Sequence, residues 1–391
     1  MVTAISVIRS LGRAGVDVHL LCRAGAVPSH SRYARRIPID SSLPPQEAWL
    51  RYLLGPESEG LRGAVLLACN DDALELLLEH REELDGRYQL DVCDPGAQRA
   101  MLDKLATYRL ADAAGVPTPR FWAAESEEEV RAHADEYVYP LMIKPLHSHE
   151  FKRVHEGKYL MAADFDELLS AWRRTHEHGV DVVLLEMIPG PDDLLCSYYT
   201  YLDESGAPQF HFTKRVIRRY PEHEGFGCYH ITDWNPEVRD LGLRLFRHVG
   251  LRGVANVEFK RDTRDGRLKV IEVNARFTAA NGLVAAAGYD LARLVYNRAA
   301  GLPQPSWGDK PYRVGLRLWY PLDDFLAYLD LRGRGSLRLG EWLRSVAHVS
   351  VLPYFSLADP KPSVVRFKLK MRTLAAVNAR RIAGRWTADG P

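Results

Sequence analysis

Gly253-Val-Ala-Asn-Val-Glu-Phe-Lys260 and Leu268-Lys-Val-Ile-Glu-Val-Asn274 flank a turn at Asp262–Gly266. Side chains alternate between the two faces of a strand, so the spacing predicts a hairpin with Val257 and Phe259 on one face and Glu258 on the other. In the second strand Ile271 and Val273 are expected on one face, with Glu272 and Asn274 sharing the opposite one. The hairpin can then present two carboxylates and an amide on a common surface. Such groups, bounded by apolar residues, repel one another and are costly to desolvate without a positive partner. A hard cation answers this, and an all-oxygen set suits magnesium, which is usually held by one or two carboxylates plus substrate phosphates. The same alternation also fits a hairpin whose charged face is simply solvated.

Upstream, Leu195–Leu202 and Gln209–Val216 flank Asp203-Glu-Ser-Gly206 and predict a second hairpin. Tyr139–Pro145, carrying Lys144, and Val182–Ile188, ending at Pro189-Gly190, read as further strands. Asn235-Pro-Glu237 supplies a helix cap, a proline for the first turn and an acid beside it, and Gly250 closes that helix. Earlier still, a helix over Ala100–Ala114 stops at Gly115-Val-Pro-Thr-Pro119. Residues 1–98 alternate helices with apolar runs. A helix over Ala4–Arg13 precedes Val16–Leu21, and Ala64–Cys69 is expected as a buried strand before a helix over Asp71–Glu82 capped by Asn70. This pattern implies a small parallel α/β unit. Such units ordinarily open on a strand, yet here a helix begins almost at Met1, so a late start or a dispensable first strand is expected. From Leu302 onward the pattern loosens through Pro303, Pro305, Pro311 and Pro321, and 302–391 is expected as a C-terminal appendage.

The ordered series Lys104, Lys144, Glu186, Asp193, Lys214, Glu258, Glu272, Asn274 and Arg276 resembles the ATP-grasp superfamily, specifically its carboxylate–amine ligase branch of D-aspartate-ligase and carbamoyl-phosphate-synthase type. The specific pieces are Asp103-Lys104, Ile143-Lys-Pro145, Glu186-Met-Ile-Pro-Gly190 and Ile271-Glu-Val-Asn-Ala-Arg276, and the likeness spans about residues 64–300. It implies an α+β fold in which two subdomains over 99–301 grip ATP. It further implies an ATP-dependent ligase that forms an acyl phosphate and joins it to an amine. Lys104, Lys144 and Lys214 would meet phosphates; Glu186, Met187 and Ile188 the adenine; Asp193 the ribose. Glu258, Glu272 and Asn274 would hold magnesium, or manganese as a second candidate, and Arg276 would steady the acyl phosphate. These assignments fit the need of a triphosphate for cations at its oxygens. Relatives often cover the phosphates with a glycine-rich loop. Here His147–Gly157 has one glycine and three histidines (His147, His149, His155), so Lys152 or Lys158 would take over from backbone amides. Asn256 stands where some relatives carry arginine, which shifts transition-state charge toward Arg276 and Lys214. Phosphorylation of a hydroxyl, or nucleotide binding without turnover, remain as alternatives on the same fold.

Arg218 and Arg219 lie in a loop-like stretch with Gly225 and Gly227 and are candidates for gripping an amino-acid or peptide-like carboxylate; an exposed basic loop is the plainer reading. Lys plus Arg number 52 against 51 Asp plus Glu, net +1, so the overall field gives no reason to expect nucleic acid. Five scattered cysteines without a CxxC pair argue against a disulfide framework and for a reducing compartment, the cytoplasm, and the Arg, Ala and Gly content suits a bacterial source. The tail places Lys368, Lys370, Arg372, Arg380, Arg381 and Arg385 among Phe367, Leu369, Leu374 and Ile382; packing on its own domain is the expected role, with contact to an anionic membrane the alternative.

Overall fold

The computed structural model describes residues 2–146, 159–223, 225–305, 307 and 312–388. The chain begins with α1 (Val2–Arg13), whose Ile5, Ile8 and Leu11 are buried at the spacing of one helical face. β1 (His19–Cys22) and β2 (Arg35–Pro38) pair in parallel, followed by α2 (Pro45–Leu54). Among the described residues, the run expected as a strand at Ala64–Cys69 makes a single parallel bridge, Val65 to Gln89. A strand needs a ladder of neighbours, and this run has one short neighbour on one edge. An apolar-lined cavity of about 570 Å³ lies between β1 and residues 64–67. The next helix is two: α3 (Asp71–Glu79), capped by Asn70 Oδ1 accepting from the Ala73 N–H at 3.3 Å, and α4 (Arg81–Asp85). His80 breaks them at φ −108°, ψ 25°.

A second break matters more for function. Instead of one helix over 100–114 there are α5 (Pro95–Leu102) and α6 (Lys104–Ala113). Asp103 leaves the helical region at ψ 122°, and its carboxylate accepts the Ala106 N–H at 3.0 Å. Aspartate favours that capping role over a helix interior. The break makes Lys104 the first residue of α6, where its Nζ donates to the Leu146 carbonyl at 3.0 Å.

Two sheets follow. The smaller has strand order β3-β6-β4-β5, built from β3 (Phe121–Ala123), β4 (Leu141–Pro145), β5 (Leu160–Ala162) and β6 (Val182–Glu186). It is backed by α7 (Glu127–Ala132) and α8 (Phe165–His176), whose Val130, Leu168 and Trp172 fill its core. The larger sheet has the order β11-β10-β7-β8-β9-β12. Its strands are β7 (Leu195–Leu202), β8 (Phe212–Tyr220), β9 (Phe226–Asp233), β10 (Gly253–Arg261), β11 (Leu268–Asn274) and β12 (Arg317–Trp319). Helix α9 (Pro236–Val249) ends at Gly250 in the left-handed region (φ 75°) and packs on the back of this sheet. The contact is close at Gly242, where a Cβ would stand 2.6 Å from Tyr198 Cδ1 and 2.9 Å from Val257 Cγ1. Gly242→Val is therefore expected to cost about 1–3 kcal/mol by overpacking, more than the small gain in helix propensity returns. A denaturation midpoint equal to or above that of the parent would refute this packing.

The β10–β11 hairpin forms in the expected direction but carries an irregularity. Glu258 faces Glu272 and Asn256 faces Asn274, whereas Phe259 pairs with Val270. Ile271 is thus the extra residue of a β-bulge. The alternation expected from spacing fails there: Val270 and Val273 enter the core, and Ile271 lines the opposite, cleft side.

Beyond α10 (Asn281–Ala287) and α11 (Leu291–Ala299), the stretch expected as an appendage donates β12 to the edge of β9. It continues as α12 (Pro321–Gly333), α13 (Leu339–Val346) and α14 (Lys361–Ala388). Buried Asp359 ties it to the beginning of the chain, accepting from Arg9 Nε at 2.9 Å, Ser31 Oγ at 2.8 Å and the Arg32 N–H at 3.0 Å. Arg9 also donates to the carbonyls of Pro353 and Tyr354. No described helix is long and apolar enough to cross a membrane. On α14, Val364, Phe367, Leu369 and Met371 are exposed, while Lys370 turns inward to Asp323 at 2.6 Å.

Candidate active site

The large sheet gathers its polar residues by register. Lys214 on β8 faces Ser197 on β7, Ser197 faces Glu258 on β10, and Glu258 faces Glu272 on β11. Directly opposed residues share a face, so one cross-strand row runs Lys214, Ser197, Glu258, Glu272. The next row on that face is Tyr199, Asn256 and Asn274. The neighbouring positions Tyr198, Val257 and Phe259 point into the core behind. Over part of its extent the polar face is covered by α10 and α11. Elsewhere it opens on a cleft of about 710 Å³ whose walls include Lys104, Glu258, Glu272, Asn274, Arg276, Asp71 and Tyr354.

Asn274 Nδ2 donates to Asn256 Oδ1 and to Glu272 Oε1, both at 3.3 Å. This orientation turns the Asn274 carbonyl oxygen away from those partners. Glu272 is exposed to the cleft and Asn256 fully buried beneath it. Two carboxylates and an amide oxygen at one spot fit magnesium, which keeps other positions for water and phosphate. Among the described residues no group of three His, Cys, Asp or Glu side chains is placed to hold a metal ion. Two carboxylates and one amide oxygen leave the other positions of a bound magnesium to water and phosphate.

Lys214 is buried, its Nζ donating to Ser197 Oγ at 3.1 Å and lying 3.4 Å from His230 Nδ1. His230 Nε2 is 2.7 Å from the Gly227 carbonyl, which assigns the proton to Nε2 and leaves Nδ1 as the acceptor. Burial, and then the Lys214 charge, push the His230 pKa far down, so the imidazole stays neutral. Burial lowers the Lys214 pKa, and Glu258 partly restores it. Lys104 behaves alike, with burial opposed by Glu272 and Asp71. Arg276 is gripped by Asp71 through two hydrogen bonds, Nε to Oδ1 at 2.5 Å and Nη2 to Oδ2 at 2.7 Å. Burial works against its charge, but Asp71, through its hydrogen bonds and charge, together with Glu272 and Cys69 raises the pKa on balance.

The remaining candidates fall elsewhere. Lys144 and Glu186 share the smaller sheet, on adjacent strands β4 and β6. The Glu186 carboxylate, expected to meet adenine, is occupied: Arg264 Nη1 donates to it at 2.5 Å and the Arg120 N–H at 3.1 Å. The Ile188 carbonyl accepts from Lys260 Nζ at 2.9 Å, and Met187 is half-buried beside it. Asp193 is exposed, whereas its neighbour Asp192 is buried and accepts the His223 N–H at 2.8 Å. Lys158, with the histidine-containing loop 147–157, lies outside the described residues.

Arg218 and Arg219 require a correction. Arg218 is buried and forks onto Asp324 at 2.6 and 2.9 Å, and Asp324 also accepts from the indole N–H groups of Trp319 and Trp342. Removing a buried guanidinium from such a partner is costly, so this arginine joins β8 to α12. Arg219 donates twice to the Gly225 carbonyl and approaches Asp192 at 3.5 Å, which shapes the β8–β9 turn. Neither lines the cleft. Asp71, Arg264 and Arg366 escaped the sequence reading because the contacts that bring them to the site, Asp71 to Arg276, Arg264 to Glu186 and Arg366 to Tyr354 in the cleft wall, are set by tertiary packing. The one local signal was the acidic first turn Asp71-Asp72 of α3.

Residues 233–306 match the family described as the carbamoyl-phosphate synthase L chain, ATP binding domain. The chain is 25% identical over 262 residues to a D-aspartate ligase of Enterococcus faecium, covering 64% of this chain and 62% of that one. It thus spans less than two thirds of the length of this curated relative. Among solved structures, an L-amino acid ligase of Bacillus licheniformis superposes with a TM-score of 0.61 at 18% identity, over 81% of this chain and 76% of that one. The biotin carboxylase domain of a Hydrogenobacter thermophilus 2-oxoglutarate carboxylase, bound to MgADP, gives 0.61 at 19% identity, over 80% and 71%. At those identities the superpositions speak for fold alone. The α+β fold is thus the one these solved structures share, and in its matched segment and its curated relative the chain is similar to ATP-grasp carboxylate–amine ligases.

Proposed function

We propose that the chain is an ATP-dependent carboxylate–amine ligase that works through an acyl phosphate. The observation that carries this is the cross-strand row of Lys214, Ser197, Glu258 and Glu272, whose two glutamates line one cleft with Asn274 and Arg276. A carboxylate oxygen attacks the terminal phosphorus of ATP, the bond to the bridging oxygen breaks and ADP leaves. The amine then attacks the acyl carbon, loses a proton, and phosphate departs with the oxygen that the acid supplied. Two easier steps replace one difficult condensation.

Magnesium, or manganese in its place, neutralises phosphate charge when bound at Glu258, Glu272 and Asn274. Lys214 supplies a fixed positive charge in a dry setting, where it acts more strongly than in water. Lys104 and Lys144 serve the phosphates from the cleft floor and the smaller sheet, and Lys158 is assigned with them from its sequence position. Asp71 positions the Arg276 guanidinium at the cleft wall, where its remaining N–H groups meet the acyl phosphate. Met187 and Ile188 form the adenine hinge, with Glu186 organised by Arg264. In this reading residues 1–98 are a separate α/β unit, 99–301 grip ATP, and 302–391 complete the cleft. The partners are a small-molecule carboxylate and an amine, in the cytoplasm of a bacterium.

Hydroxylamine tests the mechanism. ATP, magnesium and the correct acid should yield a hydroxamate without the natural amine, and Arg276→Ala should lose this product while still binding ATP. Oxygen label from the acid should appear in the released phosphate. AMP with pyrophosphate would indicate an adenylate instead, and a stable phosphorylated alcohol would indicate a kinase. ATP binding without any turnover would leave only a nucleotide-binding protein.

Asp193→Ala probes the ribose assignment, motivated by its exposure just beyond the hinge. Ribose contacts are alike in ground and transition states, so the loss is one of uniform binding. The KM for ATP should rise roughly ten-fold, worth about 1.4 kcal/mol, with kcat nearly unchanged. A fall in kcat at unchanged KM would rule out that role.

A further inference from the structure

Among the described residues two guanidinium groups line the cleft, and they differ in what they hold. Arg276 spends two donors on Asp71 and a third on the Phe277 carbonyl. Arg366, on the first turns of α14, has its side chain 32% exposed. Its approach to Asp323 is 3.8 Å, beyond hydrogen-bond distance, because Lys370 occupies that carboxylate at 2.6 Å. Among the described residues Arg366 makes no hydrogen bond, although a guanidinium carries five N–H donors. Its plane stands over the Tyr354 ring at 5.3 Å. Tyr354 packs against Tyr320 (6.0 Å between centroids), and Tyr320 against Phe226 (5.0 Å, edge to face). All four residues line the cleft, and the clamp of Asp359 on Arg9 holds the segment in place.

We propose that Arg366 and this aromatic wall form a subsite for the amine substrate, taking the free carboxylate of an amino acid whose side chain is aromatic or large and apolar. This rests on the ligase reading, in which the other carboxylate, the one to be activated, lies toward Arg276 and the metal residues. A fork of unspent donors selects a planar carboxylate, and the rings receive an apolar body while Tyr354 holds the guanidinium by a cation–π contact. Arg366, Tyr354 and Tyr320 belong to the C-terminal segment and Phe226 to β9, so most of the subsite's specificity is carried outside the ATP-gripping sheets.

Calorimetric titration of the full chain with phenylalanine and with phenylalaninamide, which differ in the carboxylate alone, tests the assignment. Phenylalanine should bind roughly ten-fold or more tighter than the amide, as expected for charge-assisted hydrogen bonds. Arg366→Met should bring the ratio close to one, and Arg366→Lys should restore only part of it, since an ammonium lacks the fork. An unchanged ratio in Arg366→Met, or no binding of either probe, overturns the proposal. Displacement of phenylalanine by inorganic phosphate at equal concentration also overturns it, because the arginine would then be a phosphate-binding group of the nucleotide site. The titration needs no turnover. Binding through Arg366 without ADP formation under any amine and acid would defeat the ligase reading alone, whereas ADP formation with an Arg366-independent ratio would defeat the subsite alone.

Discussion

Glu272→Gln is expected to reduce magnesium-dependent ATP turnover by about 10²–10³-fold or more, the scale associated with losing a charge that stabilises a transition state. The variant keeps the volume and an acceptor for Asn274 Nδ2, so the amide-to-amide arrangement beneath it survives. What disappears is one of the two carboxylates of the cross-strand pair with Glu258. Because Glu272 is exposed to the cleft, its neutralisation should alter stability by no more than about 0.5 kcal/mol. Phosphate release measured across a magnesium titration, beside a melting curve, separates the two effects. Near-parental rates at limiting magnesium would remove Glu272 from the metal site.

Lys214→Met should produce a comparable loss of turnover, again about 10²–10³-fold, with stability changed by less than about 1 kcal/mol. Burial disfavours the ammonium, and the groups it touches, Ser197 Oγ and His230 Nδ1, are neutral. Methionine of similar length relieves that desolvation and leaves two acceptors without their donor, so the terms oppose each other. A pH series adds a sign. The folded-state pKa of Lys214 is lowered from 10.5, so between the lowered value and 10.5 the unfolded chain binds more protons and stability rises with pH. The penalty is fully present below that window. Lys104 and Lys260 are lowered too, so the variant should keep a rise but a smaller one. An identical alkaline rise in variant and parent, or a turnover within a few-fold of the parent, would show that Lys214 neither carries the buried charge nor serves the phosphates.

These experiments act on a site with an internal tension. Burial disfavours the charges of Lys104, Lys214 and Arg276, and the nearby carboxylates Glu272, Glu258 and Asp71 oppose it. A bound triphosphate with its cation satisfies more of these charges than the apo-protein can. Nucleotide binding should therefore be coupled to the rigidity of this face. By contrast, Arg218–Asp324 and Arg9–Asp359 are fully paired inside the protein and hold the C-terminal segment against β8 and α1.

By itself the sequence determined what depends on neighbours along the chain. The alternation over 253–274 specified a hairpin, and the side-chain period of two placed Glu258, Glu272 and Asn274 on one face. Asn70, Asn235 and Gly250 marked helix ends because capping is a matter of one residue and the next turn. The order of lysines and acids was enough to expect an ATP-gripping ligase. Asp103 shows the limit, since an apolar helical period ran across it and its capping tendency prevailed. Only the tertiary structure decided which charges are spent. Arg218 resembled a substrate ligand until Asp324, 106 positions away, was packed against it. Arg276 met Asp71 at a separation of 205 residues, and Glu186 met Arg264 at 78. The Ile271 bulge arose from fitting β11 to β10, and the Arg366 wall from clamping the two ends of the chain together. Periodicity encodes the face on which a side chain lies, but the energy of a buried charge depends on what approaches it through space, and that is settled only when distant segments pack and exclude water.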